Sequence, residues 1–145
     1  MASQILNSAW KVIPMFESRS IPQTVDFYTK ILGFELASVK PEHGESENGE
    51  SEQYFCSIFI GKRAEANFYF SKVSAESFKS SHAYIALGTS QLDDFHAYLK
   101  NTPSIKFDEE IEDTPWGFRQ FTIKDIDGNL LTFFKFLEGG NPGEE

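Results

Sequence analysis

The chain has 145 residues, 40% hydrophobic and 15% aromatic, enough for one packed domain and too few for two ordinary ones. Its formal charge of −9, from 22 acids against 13 bases, argues against nucleic acid, whose binding needs clustered Lys and Arg. A single cysteine, Cys56, cannot close an intramolecular disulfide, no stretch has the apolar length of a membrane span, and the opening MASQILNSAWKVIPMF lacks a leader's basic start and cleavage site, so a cytoplasmic location is expected.

After an N-terminal extension over residues 1–9, WKVIPMFE (10–17) reads as a first strand with Val12, Pro14 and Phe16 on one face. Pro14 marks an edge or irregular position. Ser20-Ile21-Pro22-Gln23 has the form of a capping box, with Ser20 as N-cap and Pro22 in the first turn, where no amide donor is needed. Ile21, Val25, Tyr28 and Leu32 follow at helical spacing, and Gly33 supplies the stop. FELASV (34–39) is a second strand, and 40–52 a polar, acidic loop predicted to be mobile. QYFCSIFI (53–60), a turn at Gly61-Lys62 and EANFYFSK (65–72) read as a hairpin.

A Ser-rich connection over 73–81 marks the midpoint. HAYIAL (82–87) is a strand, Ser90-Gln91-Leu92-Asp93 resembles a second capping box, and Leu92, Phe95 and Leu99 form a helical stripe. SIKF (104–107) is a short strand, followed by an acidic loop over 108–113. GFRQFTIK (117–124) and LLTFFKFL (130–137) flank Asp125–Asn129, where Asp-Gly is a strong hairpin-turn signal, and 138–145 reads as a disordered acidic tail.

Strand–helix–strand–hairpin thus occurs twice, without βαβαβ alternation or a Gly-rich phosphate loop. The pattern predicts an antiparallel α+β domain over 10–137, made of two βαβββ modules at about 10–72 and 82–137. The acids fall on loops and the tail. Their plain reading is solvation, and their sharper one is an acidic rim that attracts a cationic small molecule.

Two segments carry a family resemblance: VIPMFESRSIPQTVDFYTKILGFEL (12–36) and PWGFRQFTIKDIDGNLLTFFKF (115–136). In that order they resemble the opening and closing modules of the vicinal oxygen chelate superfamily, which includes glyoxalases, bleomycin resistance proteins and extradiol dioxygenases. The Ser18-Arg19 pair before the helix cap is most similar to the bleomycin-resistance-protein-like members. The resemblance implies paired modules curling into a half-open sheet around a cavity, a homodimer, and in enzymatic members a divalent metal held by His and Glu. By that resemblance the ligand positions fall on Ile13, on Asn67 or Tyr69, on Tyr84 and on Thr132. None is His, Asp, Glu or Cys, so no metal or other cofactor is expected, and metal-dependent glyoxalase or dioxygenase chemistry is disfavoured.

The remaining reactive residues read two ways each. His82 shares a strand face with Tyr84, as a ligand or proton-transfer partner or as a solvent-facing strand end. His96 reads as a helix-flank residue and His43 as part of the acidic loop. Asp125, Asp127 and Asn129 are a turn, because Leu130 and Phe136 are wrong for a calcium loop. Cys56 reads as a buried inert thiol. Trp116 is either core packing or, as the resemblance implies, a wall of the ligand crevice. Phe134, Tyr84, Tyr54, Thr132 and Tyr69 would complete that lining. Arg119 either pairs with nearby acids or binds an anionic group of the ligand. Two functions follow: a non-catalytic protein that binds and sequesters a small aromatic or cationic compound, or an enzyme of the same fold working without the usual metal through His82, Tyr84 or Arg119. A purely structural partner domain has only the acidic loops in its favour.

Overall fold

The computed structural model describes residues 2–42, 52–88 and 90–139. Both βαβββ modules are present. The first comprises β1 (Met15–Ser18), α2 (Ile21–Asp26), β2 (Glu35–Lys40), β3 (Phe55–Ile60) and β4 (Ala66–Lys72), after a short helix α1 (Ala2–Leu6). The second comprises β5 (His82–Ala86), α3 (Leu92–Lys100), β6 (Lys106–Asp113), β7 (Phe118–Lys124) and β8 (Leu130–Phe136). Each forms a four-stranded sheet in the same order, β1-β4-β3-β2 and β5-β8-β7-β6. The hairpin strands pair antiparallel, whereas β1 lies parallel to β4 and β5 to β8 because each is reached through a helix.

The first helix forms where its cap predicts: the Ser20 side chain accepts from the Gln23 amide, and Gly33 takes φ +84°. Past Asp26 it widens into a π-helical turn over Phe27–Ile31. The second helix lacks the predicted Ser90 cap; Gln91 is the N-cap and makes no side-chain cap bond. A larger correction concerns 108–113. The acidic run continues β6 as an edge strand, with irregular register between Phe107 and Glu112. Edge strands tolerate outward charge, which also discourages pairing with other chains. His43 and most of the acidic segment 42–52 lie outside the described residues, as does the tail beyond Gly139.

Alternation along each strand sends one face inward and the other out. Phe16, Cys56, Ile58, Phe68 and Phe70 of the first sheet share one core with Ile85, Phe121, Ile123, Leu131 and Phe133 of the second. Phe34, just past α2, bridges them, with its ring 6.2 Å from Phe68 and 6.5 Å from Phe133. The helix-bearing faces therefore meet, and the opposite faces turn away from the core. Burial pushes the Cys56 thiol up to about 12, which keeps it protonated and unreactive.

The Asp125–Asn129 turn keys the second module into the first. Asp125 accepts from the amides of Asp127, Gly128 and Asn129, from Asn129 Nδ2, and from the Tyr28 hydroxyl at 2.7 Å. Burial pushes its carboxyl above the ordinary range, and these donors offset only part of that rise. Burial and the Asp125 charge hold the Tyr28 hydroxyl well above its ordinary value. Arg19 donates to the Asp127 carboxylate and backbone carbonyl, and Asn129 Nδ2 to the Glu17 carbonyl.

Candidate ligand face on the second sheet

The outward face of the second sheet collects four of the eight predicted site residues. His82, Tyr84, Thr132 and Phe134 project from adjacent strands, since Tyr84 pairs with Thr132 and Ala86 with Phe134. The His82 ring stacks on Tyr84 at 5.0 Å, and Tyr84 meets Phe134 edge-on at 5.9 Å. Phe118 stacks on Phe134 at 4.3 Å, and Phe136 closes the array. Tyr84 and Phe136 remain about half exposed, which leaves ring surface open to a ligand. Trp116 stands beyond this row at the tip of the β6–β7 turn, 59% exposed, where Gly117 takes φ +93° and its carbonyl accepts from the Leu137 amide.

Below the rings runs a polar row. His82 Nε2 lies 2.7 Å from Thr132 Oγ1, which lies 2.6 Å from Thr122 Oγ1, and Thr122 donates to Glu109 Oε1 at 2.7 Å. Both threonines are fully buried while His82 and Glu109 are exposed. Gln120, beside Phe134, is 2% exposed, and its side-chain oxygen has no hydrogen-bond partner. Such an orphan acceptor costs about 1–3 kcal/mol.

Arg119 is not on this face. It points to the helix side, donating through Nε and Nη2 to both Asp93 oxygens at 2.8 Å and through Nη1 to Asp113 at 2.7 Å. These acids raise the guanidinium's proton affinity, and the guanidinium lowers the Asp93 carboxyl. Glu110 likewise turns to α3, bonding Lys100 and, at 3.1 Å, His96, which in that order pull its carboxyl down. Of the acids in 108–113, register therefore places Glu109 and Glu112 on the aromatic face, opposite Thr122 and Gln120.

Tyr69 and Tyr54 belong to the first sheet. Tyr69 is on its outward face against Phe55 at 5.1 Å, and Tyr54 precedes β3, largely exposed. Asn67 shares the Tyr69 face, but its amide is spent on Ser57 and the Ile58 carbonyl. Strand register also shifts the positions counted from the helix starts. Met15 pairs with Tyr69 as Tyr84 pairs with Thr132, so Met15 is the counterpart of Tyr84 and Tyr69 that of Thr132, and two residues earlier Ile13 is the counterpart of His82. The offset arises because the connection from β5 to α3 is two residues longer than that from β1 to α2, comparing Ile85–Leu92 with Phe16–Ile21. Among Ile13, Met15, Tyr69, His82, Tyr84 and Thr132 there is one imidazole and no carboxylate, too few of the ligands that a divalent ion prefers. Among the described residues no group of three or more His, Cys, Asp or Glu converges.

The family model for the Glyoxalase/Bleomycin resistance protein/Dioxygenase superfamily matches residues 18–133. Among solved structures, the chain is similar to TioX from Micromonospora sp. ML1, with TM-score 0.66 and 15% identity over 89% of this chain and 100% of that one. It is similar to a glyoxalase-related enzyme from Clostridium phytofermentans, with TM-score 0.65 and 20% identity over 88% and 95%. The bleomycin-binding protein from bleomycin-producing Streptomyces verticillus, complexed with copper(II)-bleomycin, gives TM-score 0.62 and 18% identity over 87% and 95%. At these identities the likeness concerns the fold. A search of curated proteins returned no match.

Proposed function

Because the chain belongs to the glyoxalase/bleomycin resistance protein/dioxygenase superfamily, we propose that it is a non-catalytic cytoplasmic protein that binds and sequesters a planar, cationic small molecule without a metal. The observation that carries this reading is the ring array in which half-exposed Tyr84 and Phe136 pack against buried Phe134 and part-buried Phe118, flanked by Glu109 and Glu112. Rings hold a flat cation by stacking and cation–π attraction, and carboxylates on the same face favour its charge. That the bleomycin-binding relative is named for a small-molecule ligand agrees with such a role.

The protein works as a homodimer in this reading. One chain leaves Met15, Tyr84 and Phe136 about half exposed on the outward faces, and Ile5, Leu6, Trp10 and Val12 of its N-terminal arm are all strongly exposed, Val12 at 87%. Apolar surface of that kind seeks cover. A second copy that laid its first sheet over the ring array would bring Tyr69 to the ligand. Tyr54 stands at the end of that sheet, and Trp116 lines the rim.

The test is a thermal-shift and fluorescence screen with an aminoacridine cation, its neutral parent acridine, an anionic acridine carboxylate, and bleomycin. The cation should raise the melting temperature most. A protein that binds the anion best, or carries one tightly held zinc, iron, nickel or manganese per chain by elemental analysis, refutes the proposal. A metal-independent enzyme on the same face is the rival, favoured by the imidazole at the end of the threonine row. Chemical conversion of a bound compound, lost in His82→Phe, would decide for it.

A further inference from the structure

The threonine row has a direction, and that direction fixes what His82 offers a ligand. A carboxylate only accepts, so Thr122 spends its single hydroxyl proton on Glu109. The 2.6 Å contact between the threonines must then use the proton of Thr132, with Thr122 accepting. Thr132, having spent its proton, can only accept from His82, so Nε2 carries hydrogen. In the neutral ring Nδ1 is left with a lone pair.

We propose that Glu109, Thr122 and Thr132 hold His82 in its Nε2–H tautomer, making Nδ1 the hydrogen-bond acceptor for an aromatic ligand that carries an O–H or N–H donor. The inference rests on the proposed ligand face and narrows the class it takes, from flat and cationic to flat and donor-bearing. A second observation points the same way. The orphan oxygen of Gln120 belongs to the same face, two residues along β7 from Thr122 and opposite Phe134. Both unmet groups are acceptors, so the face lacks donors. Thr132 is therefore a positioning residue that acts through His82.

Two measurements test this. The first needs no ligand: long-range 1H–15N correlation spectra of labelled protein at about pH 8, above the ordinary histidine titration. His82 should show a protonated Nε2 and a bare Nδ1. Thr132→Ser should preserve that pattern, while Thr132→Val and Thr122→Val should give mixed tautomers in a folded protein. A dominant Nδ1–H form in the wild type, or a Thr132→Val spectrum identical to it, overturns the proposal. The second compares 2-naphthol with 2-methoxynaphthalene, which has the same ring but no donor. The naphthol should bind about three- to tenfold more tightly, the worth of one hydrogen bond, and His82→Phe should abolish the difference. Equal affinities in the wild type overturn the acceptor role. Failure of the aminoacridine cation to bind would sink the cation reading but leave the His82 tautomer unmoved, so the two ideas fail separately.

Discussion

The two outward faces occupy equivalent places in a repeated frame and carry different chemistry. Where the first sheet has Tyr69 opposite Ser57, the second has Thr132 opposite Thr122. Where the first has Met15, the second has Tyr84. On the first face the polar capacity is consumed within the sheet, because Asn67 bonds Ser57 and the Ile58 carbonyl. On the second it leads outward, from Glu109 through two hydroxyls to an exposed imidazole. Both sheets present their inner residues to one core and are folded by the same forces. Repetition of a βαβββ frame therefore constrains the inward positions and frees the outward ones, where a few substitutions change the chemistry each half presents.

The largest expected effect that would break this contrast is on binding. Replacing Tyr84 and Phe134 together by Ala removes two ring contacts at about 0.5–2 kcal/mol each, an affinity loss for the aminoacridine of about fivefold to several hundredfold. Tyr69→Ala removes one ring and should cost less. If Tyr69→Ala costs more by titration calorimetry, the first sheet is the principal face.

The next effect sharpens the contrast through what keeps the two faces apart. Tyr28 is buried and its hydroxyl, held above the ordinary value of about 10, keeps its proton in the folded state when the unfolded chain has lost it. The unfolded state then binds fewer protons, so this contribution is complete below about pH 10 and declines as pH rises toward the folded value. Urea midpoints should fall above about pH 10. Tyr28→Phe should lose about 1–3 kcal/mol at neutral pH, the worth of a hydrogen bond to a charged partner, and show a shallower alkaline decline.

Smaller again is Trp116→Ala. It should hasten release of the aminoacridine by about two- to thirtyfold in stopped flow and leave association unchanged. Neutralising Asp108, Glu109, Glu110, Glu112 and Asp113 together should slow association and flatten its salt dependence, since exposed charges act over roughly 8–10 Å at physiological salt. With Glu110 and Asp113 already paired to α3 and Arg119, most of that change should be reproduced by Asp108, Glu109 and Glu112 alone.

The fold was legible wherever local chemistry and periodicity agreed, as at the Ser20 cap, Gly33 and the Asp125–Asn129 turn. The acidic run was not, because Phe107 and Ile111 have Glu109 at their midpoint and acids on either side, too few apolar residues to establish the alternation that identifies a strand. Its irregular register, absorbed at the sheet edge, hides the period. The residues that share the second sheet's outward face were legible in part. His82, Tyr84, Thr132 and Phe134 were readable from strand parity. The same parity, with Phe121 and Ile123 inward, would have sent Arg119 to the helix side. Glu109 and Gln120 needed the pairing of β6 with β7, which nothing local announces.

The turn at Asp125 has a consequence that can be timed. One carboxylate oxygen accepts from three successive amides while its neighbour holds Tyr28 from the other half of the chain. Separating the modules would strip the carboxylate of its cross-chain partner and admit water to all three amides at once. At a pH high enough for exchange to outpace reclosing, deuterium should therefore enter at Asp127, Gly128 and Asn129 with one common rate, and that rate would be a clock for how often the two halves of the protein come apart.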